Sequence, residues 1–310
     1  MALTVDLAGL RLAHPVLNGS GTWDAIAAMR TFGAPAAEQL PFAAFVSKTI
    51  TVAPRGGNPP PRLWETPAGL INSIGLPNKG LAGFLERDLP ELAALPVPLV
   101  VSVAGFSHEE FAALVEAVAD RPEVAALELN VSCPNVKSGC VIGTERGEMS
   151  ALMARVRPLT AKPLIVKLTP NVSDVVPVAL AAEDGGADAL SLINTLRATA
   201  IDPRTGTPWL GAGQGGLSGP AIRPVALALT AQVAARTRLP IVGMGGIQCG
   251  RDALDFLHAG ASCVAVGTES FRDPAAAVRV RDELAQLLQL HGMQSPATAT
   301  TAARGHLRVV

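Results

Sequence analysis

Charged residues are scarce in this sequence of 310 residues: they make up 16% of the chain, against roughly 25% in an average soluble domain. Hydrophobic residues make up 49%, so we expect a large core, and the length suits a single α/β barrel. The formal net charge of -1 offers no strong field for phosphodiester backbones or anionic lipids, which disfavours nucleic-acid and membrane partners. Chemistry on a small molecule is therefore favoured.

Long apolar runs and clustered cysteines are also missing. No stretch reaches the roughly 18 consecutive apolar residues of a spanning helix, and the start, MALTVDLAGL, has no basic leader, so we predict a cytoplasmic protein. The four cysteines are too few for a disulfide scaffold and form no CxxC pair, and the five histidines have no metal-ligand spacing. We expect no metal site, and without a GxSxG motif a serine hydrolase has no support.

Eight short apolar runs alternate with helix-like segments along the chain. The runs are PVLN (15–18), AFVSK (44–48), PLVVSV (98–103), ALELN (126–130), PLIVKL (163–168), ALSLIN (189–194), PIVGMG (240–245) and CVAVG (263–267). The helix-like segments are 107–119, 148–159, 173–183, 221–235, 251–259 and 274–290. This alternation predicts parallel strands buried on both faces and, with eight units, a (β/α)₈ TIM barrel. A doubly wound open sheet is the alternative, but only NGSGTW follows its first strand.

Four further segments extend the predicted barrel. Residues 51–80 and 195–219 are longer than a barrel loop requires, and both follow predicted strands, so we expect long active-site loops at the C-terminal face. The alternating start LTVDLAGLRLAH predicts an N-terminal hairpin around Gly9 that covers the other end. Residues 1–290 are expected to form one domain, and residues 291–310 a flexible tail, because small polar residues offer little to bury.

Polar residues or glycines follow the apolar strands at their carboxyl ends. They are Asn18, Ser20, Ser47, Lys48, Ser102, Asn130, Lys167, Asn194, Thr195, Gly245, Gly246, Gly267 and Thr268. In a barrel these positions converge on one mouth, where binding and catalytic residues lie. Lysine is informative, since the chain has only five, and two of them end strands. A lysine suits a carboxylate or an electron-rich heteroaromatic ring.

Glycines and asparagines indicate what this mouth binds. GMGGI (243–247) and VGTES (266–270) follow the seventh and eighth strands, where barrels commonly bind phosphate. GAGQGG (211–216) matches a dinucleotide motif formally but has no strand before it, so we discount it. Several amides together suit a ring edged with N–H and C=O groups, such as a pyrimidine. The candidates are Asn72, Asn130, Asn135 and Asn194.

Cys133 lies just past the fourth strand, in ELNVSCPNVKSG. It has three interpretations: a small buried apolar residue, a covalent nucleophile or a proton acceptor. A position beside Pro134 at the active mouth suits the core poorly, and a nucleophile normally needs an activating histidine, which is not near in the sequence. A base is the sharper hypothesis.

The motif ELNVSCPNV resembles that of the class 1 dihydroorotate dehydrogenases, as do SKT (47–49), NSIGLPN (72–78), VKLTPN (166–171), INT (193–195), SGP (218–220), GMGG (243–246) and VGT (266–268). The resemblance spans roughly residues 3–290. It implies an FMN-dependent (β/α)₈ barrel enzyme that oxidises dihydroorotate to orotate in pyrimidine (UMP) biosynthesis. It further implies that Cys133 is the base for the C5 proton while the C6 hydride goes to flavin N5.

The resemblance also implies the binding residues. FMN would be held by Ser20, Gly21, Lys48, Thr49, Ser102, Asn130, Lys167, Ile193, Gly219, Gly245, Gly246, Gly267 and Thr268. Substrate would be held by Lys48, Asn72, Ser73, Ile74, Gly75, Leu76, Asn130, Asn135, Asn194 and Thr195. Two positions depart from the family pattern: Ser102 stands where an asparagine usually faces the flavin, and Trp23-Asp24 where Phe-Gly is frequent.

Within class 1, NVKSGCVIGT and GMGGI resemble the NAD-linked type 1B more than the fumarate-using type 1A. This implies a homodimer or a heterotetramer with a partner subunit carrying FAD and a [2Fe-2S] centre, since the chain has no cysteine cluster to hold such a centre.

Other functions stay open at this point. They are a different FMN barrel acting on a pyrimidine, such as a dihydropyrimidine dehydrogenase-like subunit, a tRNA dihydrouridine synthase, which would need a basic face, and a non-catalytic flavin-binding module.

Overall fold

The computed structural model describes residues 3–33, 40–132 and 142–307. Its strands, in chain order, are β1 (Val5–Leu7), β2 (Leu10–Leu12), β3 (Val16–Asn18), β4 (Phe45–Val46), β5 (Leu63–Thr66), β6 (Gly69–Asn72), β7 (Leu99–Val103), β8 (Val124–Asn130), β9 (Leu164–Lys167), β10 (Ala189–Leu192), β11 (Leu196–Ala198), β12 (Gly215–Ser218), β13 (Ile241–Met244) and β14 (Cys263–Val266). Eight of them form one parallel sheet in the order β3-β14-β13-β10-β9-β8-β7-β4. These are the eight predicted strands, and the predicted (β/α)₈ barrel is confirmed.

Helices follow the strands and cover the outside of the sheet. All six predicted helical segments are confirmed, with shifted ends: His108–Ala119, Arg146–Val156, Val176–Asp184, Arg223–Arg236, Gly250–His258 and Ala276–Leu290. The others are Ala25–Phe32, a helical stretch of three turns (Gly80–Gly83, Phe84–Asp88 in π geometry, Leu89–Leu92), Glu269–Arg272 and Pro296–Leu307. Ser107 begins the first of the six because its hydroxyl accepts the Glu110 N–H. In the described part of the chain, no helix has the length and apolar character needed to cross a membrane.

The N-terminal hairpin lies at the amino end of the barrel, as predicted. Strands β1 and β2 pair antiparallel around Gly9, whose φ of 84° suits glycine. Val5, Leu7 and Leu12 share one apolar cluster with inward-facing residues of the barrel strands. The hairpin therefore closes this end with apolar side chains, and ligands reach the barrel from the opposite end.

The end of the chain differs from the expected flexible tail, because Pro296–Leu307 forms a helix. Thr300 is buried and donates to the Ala261 carbonyl, and the Arg304 guanidinium donates to the carbonyls of Gly260 and Leu239. The segment has small residues that fit close to the barrel and two side chains that donate to backbone carbonyls of buried and half-buried residues. Composition alone does not reveal this contact.

The two long segments 51–80 and 195–219, called the two excursions from here on, pair with each other. Strands β5 and β6 come from the first excursion, β11 and β12 from the second, and together they form an antiparallel sheet in the order β11-β12-β6-β5. Leu217 of β12 pairs with Ile71 of β6, and both pack in a small apolar cluster with Leu210. The expected pocket wall is thus a second sheet built from two distant parts of the chain.

One side chain closes the barrel between its first and second strands. No ladder joins β3 to β4 among the described residues, but the Asn18 amide donates to the Val46 carbonyl and accepts the Val46 N–H, both at 2.8 Å. The Ala43 N–H also donates to the Val16 carbonyl at 3.0 Å. Asn18 is only 1% exposed, so its amide acts as a buried peptide group in the missing ladder.

Replacing Asn18 with leucine should destabilise the protein by about 2–4 kcal/mol, because two buried backbone groups of Val46 lose their partners. The free energy of unfolding in urea measures this. Gln289→Leu is the control: it removes an amide from an exposed helix position, where about 0.5 kcal/mol or less is expected. Equal stability of the two variants would show that the Asn18 amide does not hold the barrel closed.

His14 predicts how stability depends on pH. Burial, and then the Arg281 charge, lower its pKa from 6.5 to about 4, and its Nδ1 accepts the Val16 N–H at 3.3 Å. The folded protein takes up this proton less readily than the unfolded chain, so stability should fall as the pH drops from 6.5 towards 4. His14→Gln should remove about 1–2 kcal/mol of that loss of stability. This is less than the full pKa shift would give, because His14 is only partly buried. Urea unfolding at several pH values checks this, with the exposed His258→Gln expected to follow the parent protein.

Candidate active site

A cavity of about 680 Å³ opens at the carboxyl ends of the barrel strands. Its size is within the roughly 300–1,000 Å³ typical of small-molecule sites. The strand ends form its floor, and Leu63, Leu70 and Ser218 of the loop sheet form part of its wall. The excursions therefore serve as the pocket wall predicted from their length.

Most of the site residues predicted from the sequence line this one cavity. They are Ser20, Gly21, Lys48, Thr49, Asn72, Ile74, Gly75, Leu76, Asn130, Lys167, Ile193, Asn194, Thr195, Gly219, Gly245, Gly246, Gly267 and Thr268. Ser73 and Ser102 are not among the lining residues. Ser73 accepts a hydrogen bond from the Asn58 amide, and Ser102 lies fully buried behind the wall. Cys133 and Asn135 lie outside the described residues.

Glycines form one end of the cavity, next to the seventh and eighth barrel strands. Gly219, Gly245 and Gly246 have φ values of 91°, 127° and 81°, which favour glycine. A Cβ on Gly246 would lie 2.8 Å from the Gly219 carbonyl oxygen, and one on Gly219 would lie 2.8 Å from Gly69 Cα. The surrounding chain excludes side chains at these three positions, so bare backbone lines this end of the cavity. Such backbone suits a phosphate group.

A buried carboxylate stands beside the glycine end. Glu269 is 5% exposed, and it accepts from the Gln248 amide at 2.9 Å and from Arg272 Nη2 at 2.6 Å. Arg279 Nη2 lies 3.3 Å away. These two guanidinium groups compensate the negative charge of Glu269. The carboxylate would therefore repel a phosphate at the glycine end less strongly.

Amide side chains meet at the centre of the cavity. Asn194 Nδ2 donates to Asn130 Oδ1 at 3.1 Å and to Ser132 Oγ at 2.9 Å. Asn194 Oδ1 accepts the Thr195 N–H, and Asn72 Nδ2 reaches the Gly216 carbonyl at 3.3 Å. These contacts hold the amides in fixed orientations, which suits a ligand edge with donors and acceptors in a defined order.

Two lysines give the cavity a positive wall. Burial, and then the neighbouring Lys167 charge, lower the pKa of Lys48. Lys167 Nζ lies 3.0 Å from Ser20 Oγ and 3.8 Å from Glu128 Oε1, and Lys167 is 5% exposed. Of the two lysines, Lys167 alone lies near the carboxylate of Glu128, so two ammonium groups share one nearby carboxylate, and an anionic ligand would relieve the excess positive charge.

Sequence reasoning missed several residues of this site, among them Ser132, Glu128 and Glu269. Ser132 lines the cavity and holds Asn194, and its position beside Cys133 in the motif ELNVSCPNV is the only sequence signal for it. Glu128 is buried behind the cavity, at 3% exposure. An acidic residue inside the apolar run ALELN was a signal, because a charge in a strand buried on both faces needs a partner.

These features suit a flavin nucleotide: a bare glycine end for a phosphate, fixed amides for a heteroaromatic edge and lysines for negative charge. They define a (β/α)₈ barrel protein whose carboxyl-end mouth suits a phosphate-bearing cofactor. The chain belongs to the dihydroorotate dehydrogenase family, whose sequence model matches residues 2–288. Membership of this family implies a flavin cofactor. In the described part of the chain, no cluster of three side chains could hold a metal ion.

Individual relatives are similar over nearly the whole chain. The chain is 49% identical over 294 residues to the dihydroorotate dehydrogenase B (NAD(+)) catalytic subunit of Desulforudis audaxviator, covering 94% of both chains. It is 44% identical over 295 residues to the protein with the same description in Geobacter sulfurreducens, again covering 94% of both. For that of Trichlorobacter lovleyi the identity is 42% over 308 residues, 98% of this chain and 99% of the relative.

Proposed function

We propose that this protein is an FMN-dependent dihydroorotate dehydrogenase that oxidises dihydroorotate to orotate in pyrimidine biosynthesis. Its family and the descriptions of its relatives support this activity. The observation that carries the substrate class is that fixed amides and the partly buried Lys48 line one cavity. We further propose that FMN, rather than another flavin, is the cofactor, since it ends in a phosphate and bare glycine backbone lines one end of the cavity.

The substrate combines a pyrimidine ring with a carboxylate, and the cavity has groups for both. Asn72, Asn130 and Asn194 offer donors and acceptors for the N–H and C=O groups of the ring. Lys48 offers its partly buried ammonium group to the carboxylate. Binding that anion would offset the burial that lowers the pKa of Lys48. Dihydrouracil has the same ring without the carboxylate, so Lys48 favours dihydroorotate over it.

Cys133 is assigned the role of base in this proposal. It directly follows Ser132 in the sequence, and Ser132 lines the cavity and is the last described residue of its segment. The Cys133 thiolate would take the proton from C5 of dihydroorotate, and with loss of a hydride from C6 the C5–C6 single bond would become the double bond of orotate.

When bound, FMN supplies the acceptor for the hydride, and the chain supplies charge and position. Lys167 places its ammonium on the cavity wall at Ser20, where positive charge favours the extra electrons of a reduced ring. Gly219, Gly245 and Gly246 line the cavity with bare backbone and would hold the phosphate. Cofactor and substrate would then share one cavity, with the phosphate at its glycine end.

The electron route beyond this chain is also part of the proposal. The relatives are described as catalytic subunits of an NAD(+) enzyme. We therefore expect a partner subunit with FAD and a [2Fe-2S] centre, joined to a homodimer of this chain as a heterotetramer in the cytoplasm. Residues 1–290 are expected to act as one domain in that assembly.

Anaerobic titration of the purified protein tests the proposal. The protein should be yellow and should bleach with dihydroorotate but not with dihydrouracil. Bleaching by dihydrouracil instead would favour a dihydropyrimidine dehydrogenase-like function. A yellow protein that neither compound reduces would favour a non-catalytic flavin-binding module.

A further inference from the structure

A buried polar cluster lies under the cavity floor and contains Glu128, which neither the cofactor nor the substrate assignment uses. Glu128 Oε1 accepts from Ser102 Oγ at 3.0 Å, and Oε2 accepts from Ser191 Oγ at 3.1 Å. Thr49 Oγ1 lies 2.9 Å from Ser102 Oγ. All four residues are at most 3% exposed, so the carboxylate is held by hydroxyls from neighbouring strands and not by bulk water.

Lys167 connects this cluster to the cavity. Its Nζ lies 3.8 Å from Glu128 Oε1 and 3.0 Å from Ser20 Oγ, and both Lys167 and Ser20 line the cavity. The strand register fixes the arrangement, since Ser102 is opposite Glu128 between β7 and β8, and Ser191 is opposite Lys167 between β10 and β9. Glu128 thus stands between two hydroxyl donors and one ammonium.

The charges account for a carboxylate at this depth. Lys48 and Lys167 repel each other across the cavity wall, since the Lys167 charge contributes to the lowered pKa of Lys48. Glu128 supplies the opposite charge on the Lys167 side, and a buried ammonium is held in place far better with a partner than without one. A glutamine would preserve the shape of Glu128 and one of its two acceptor oxygens, with a donor NH2 group in place of the other, but it would remove this attraction.

We propose that Glu128 is a positioning residue: with Ser102 and Ser191 it holds the Lys167 ammonium at Ser20, and through Lys167 it strengthens the binding of reduced flavin. This inference rests on the proposed FMN site. It also accounts for the placement of Ser102, which was expected to contact the flavin but instead fixes the carboxylate behind Lys167.

The test uses Glu128→Gln in the complete chain, with Glu183→Gln as the matched control. Glu183 is partly buried and also accepts from a hydroxyl and an N–H, those of Thr237 and Arg238, but it is not among the residues lining the cavity. Glu128→Gln should weaken FMN binding to the deflavinated protein about tenfold. It should also lower the two-electron midpoint potential by about 30 mV, which corresponds to a tenfold additional loss for reduced over oxidised flavin. Glu183→Gln should change the dissociation constant less than about twofold.

A double-mutant cycle with Lys167→Met shows whether Glu128 acts through Lys167. In that background Glu128→Gln should change FMN affinity by less than about twofold, whereas independent effects would multiply and overturn the proposal. A midpoint potential that rises in Glu128→Gln would overturn it too, because the carboxylate would then oppose the flavin charge directly.

Two further measurements keep the result interpretable. Should Glu128→Gln not fold, Ser191→Ala keeps the charge and removes one hydrogen bond, and about a threefold loss of FMN affinity is expected from it; no loss would count against the positioning role. Potentials are measured by chemical reduction, without dihydroorotate. A parent protein that binds FMN but is not reduced by dihydroorotate therefore contradicts the proposed function and leaves this test intact.

Discussion

Cys133→Ala should slow the reduction of bound flavin by dihydroorotate by about 10²–10⁴-fold, the usual contribution of a positioned base. FMN affinity should stay within about twofold, because Cys133 is assigned to the substrate and not to the cofactor. Stopped-flow reduction under anaerobic conditions measures the rate, and the flavin absorbance of the purified variant shows that the cofactor is still bound. The loss should therefore appear in the chemical step alone.

The pH profile makes this prediction sharper. A free thiol has a pKa of about 8.5, so the rate of flavin reduction should rise from neutral into mildly alkaline pH and lose this rise in Cys133→Ala. Cys249→Ala is the control, since Cys249 precedes the Gly250–His258 helix and is not among the residues lining the cavity. A reduction rate that is flat from pH 6 to 9, or equal losses in the two variants, would argue against a thiol base.

Lys48→Met should have the second largest effect, and its effects on binding and on stability should have opposite signs. A hydrogen bond to a charged group contributes about 1.5–3 kcal/mol, so the dissociation constant for dihydroorotate should rise about 10–150-fold. Burial lowers the pKa of Lys48, which means that the folded protein holds this ammonium at a cost. The free energy of unfolding should therefore rise in Lys48→Met at neutral pH, and this gain should shrink as the pH approaches 10.5.

Titration with dihydroorotate and thermal unfolding of the same samples check both signs. Lys79→Met is the matched control, because Lys79 pairs with Asp88 at an outer helical stretch and is not among the residues lining the main cavity. Its binding of dihydroorotate should match that of the parent protein. If Lys48→Met bound dihydroorotate as tightly as the parent protein, the carboxylate would have to be recognised elsewhere.

The sequence predicted the barrel well because its strands are buried on both faces. Runs such as PLIVKL and PIVGMG are short, continuously apolar and bounded by proline or glycine, which is typical of buried parallel strands, and each leads to a polar residue or glycine that marks the mouth. The site followed from the same pattern, since Lys48, Asn130 and Lys167 stand at strand ends and all three line the cavity. The pattern thus predicted the barrel and the position of these residues at its mouth, whereas the roles assigned to them in binding came from the family resemblance.

Contacts between distant residues could not be predicted in this way. Asn18 was one more polar strand end in the sequence, and only the folded chain brings it to Val46, 28 positions away. Glu128 was visible as a charge in an apolar run, but the sequence did not show that its partners are Ser102, Ser191 and Lys167. Ser102 was placed by resemblance, but its side chain is one of the shortest and reaches the carboxylate behind the wall.

The sheet made from the two excursions limits how this enzyme can diversify. Strand β6 is hydrogen-bonded to β5 on one side and to β12 on the other, so segments more than 140 residues apart behave as one mechanical unit. Shortening or replacing either excursion alone would remove hydrogen-bonding partners from the strands of the other. Attempts to alter substrate preference by loop exchange must therefore transplant both segments together.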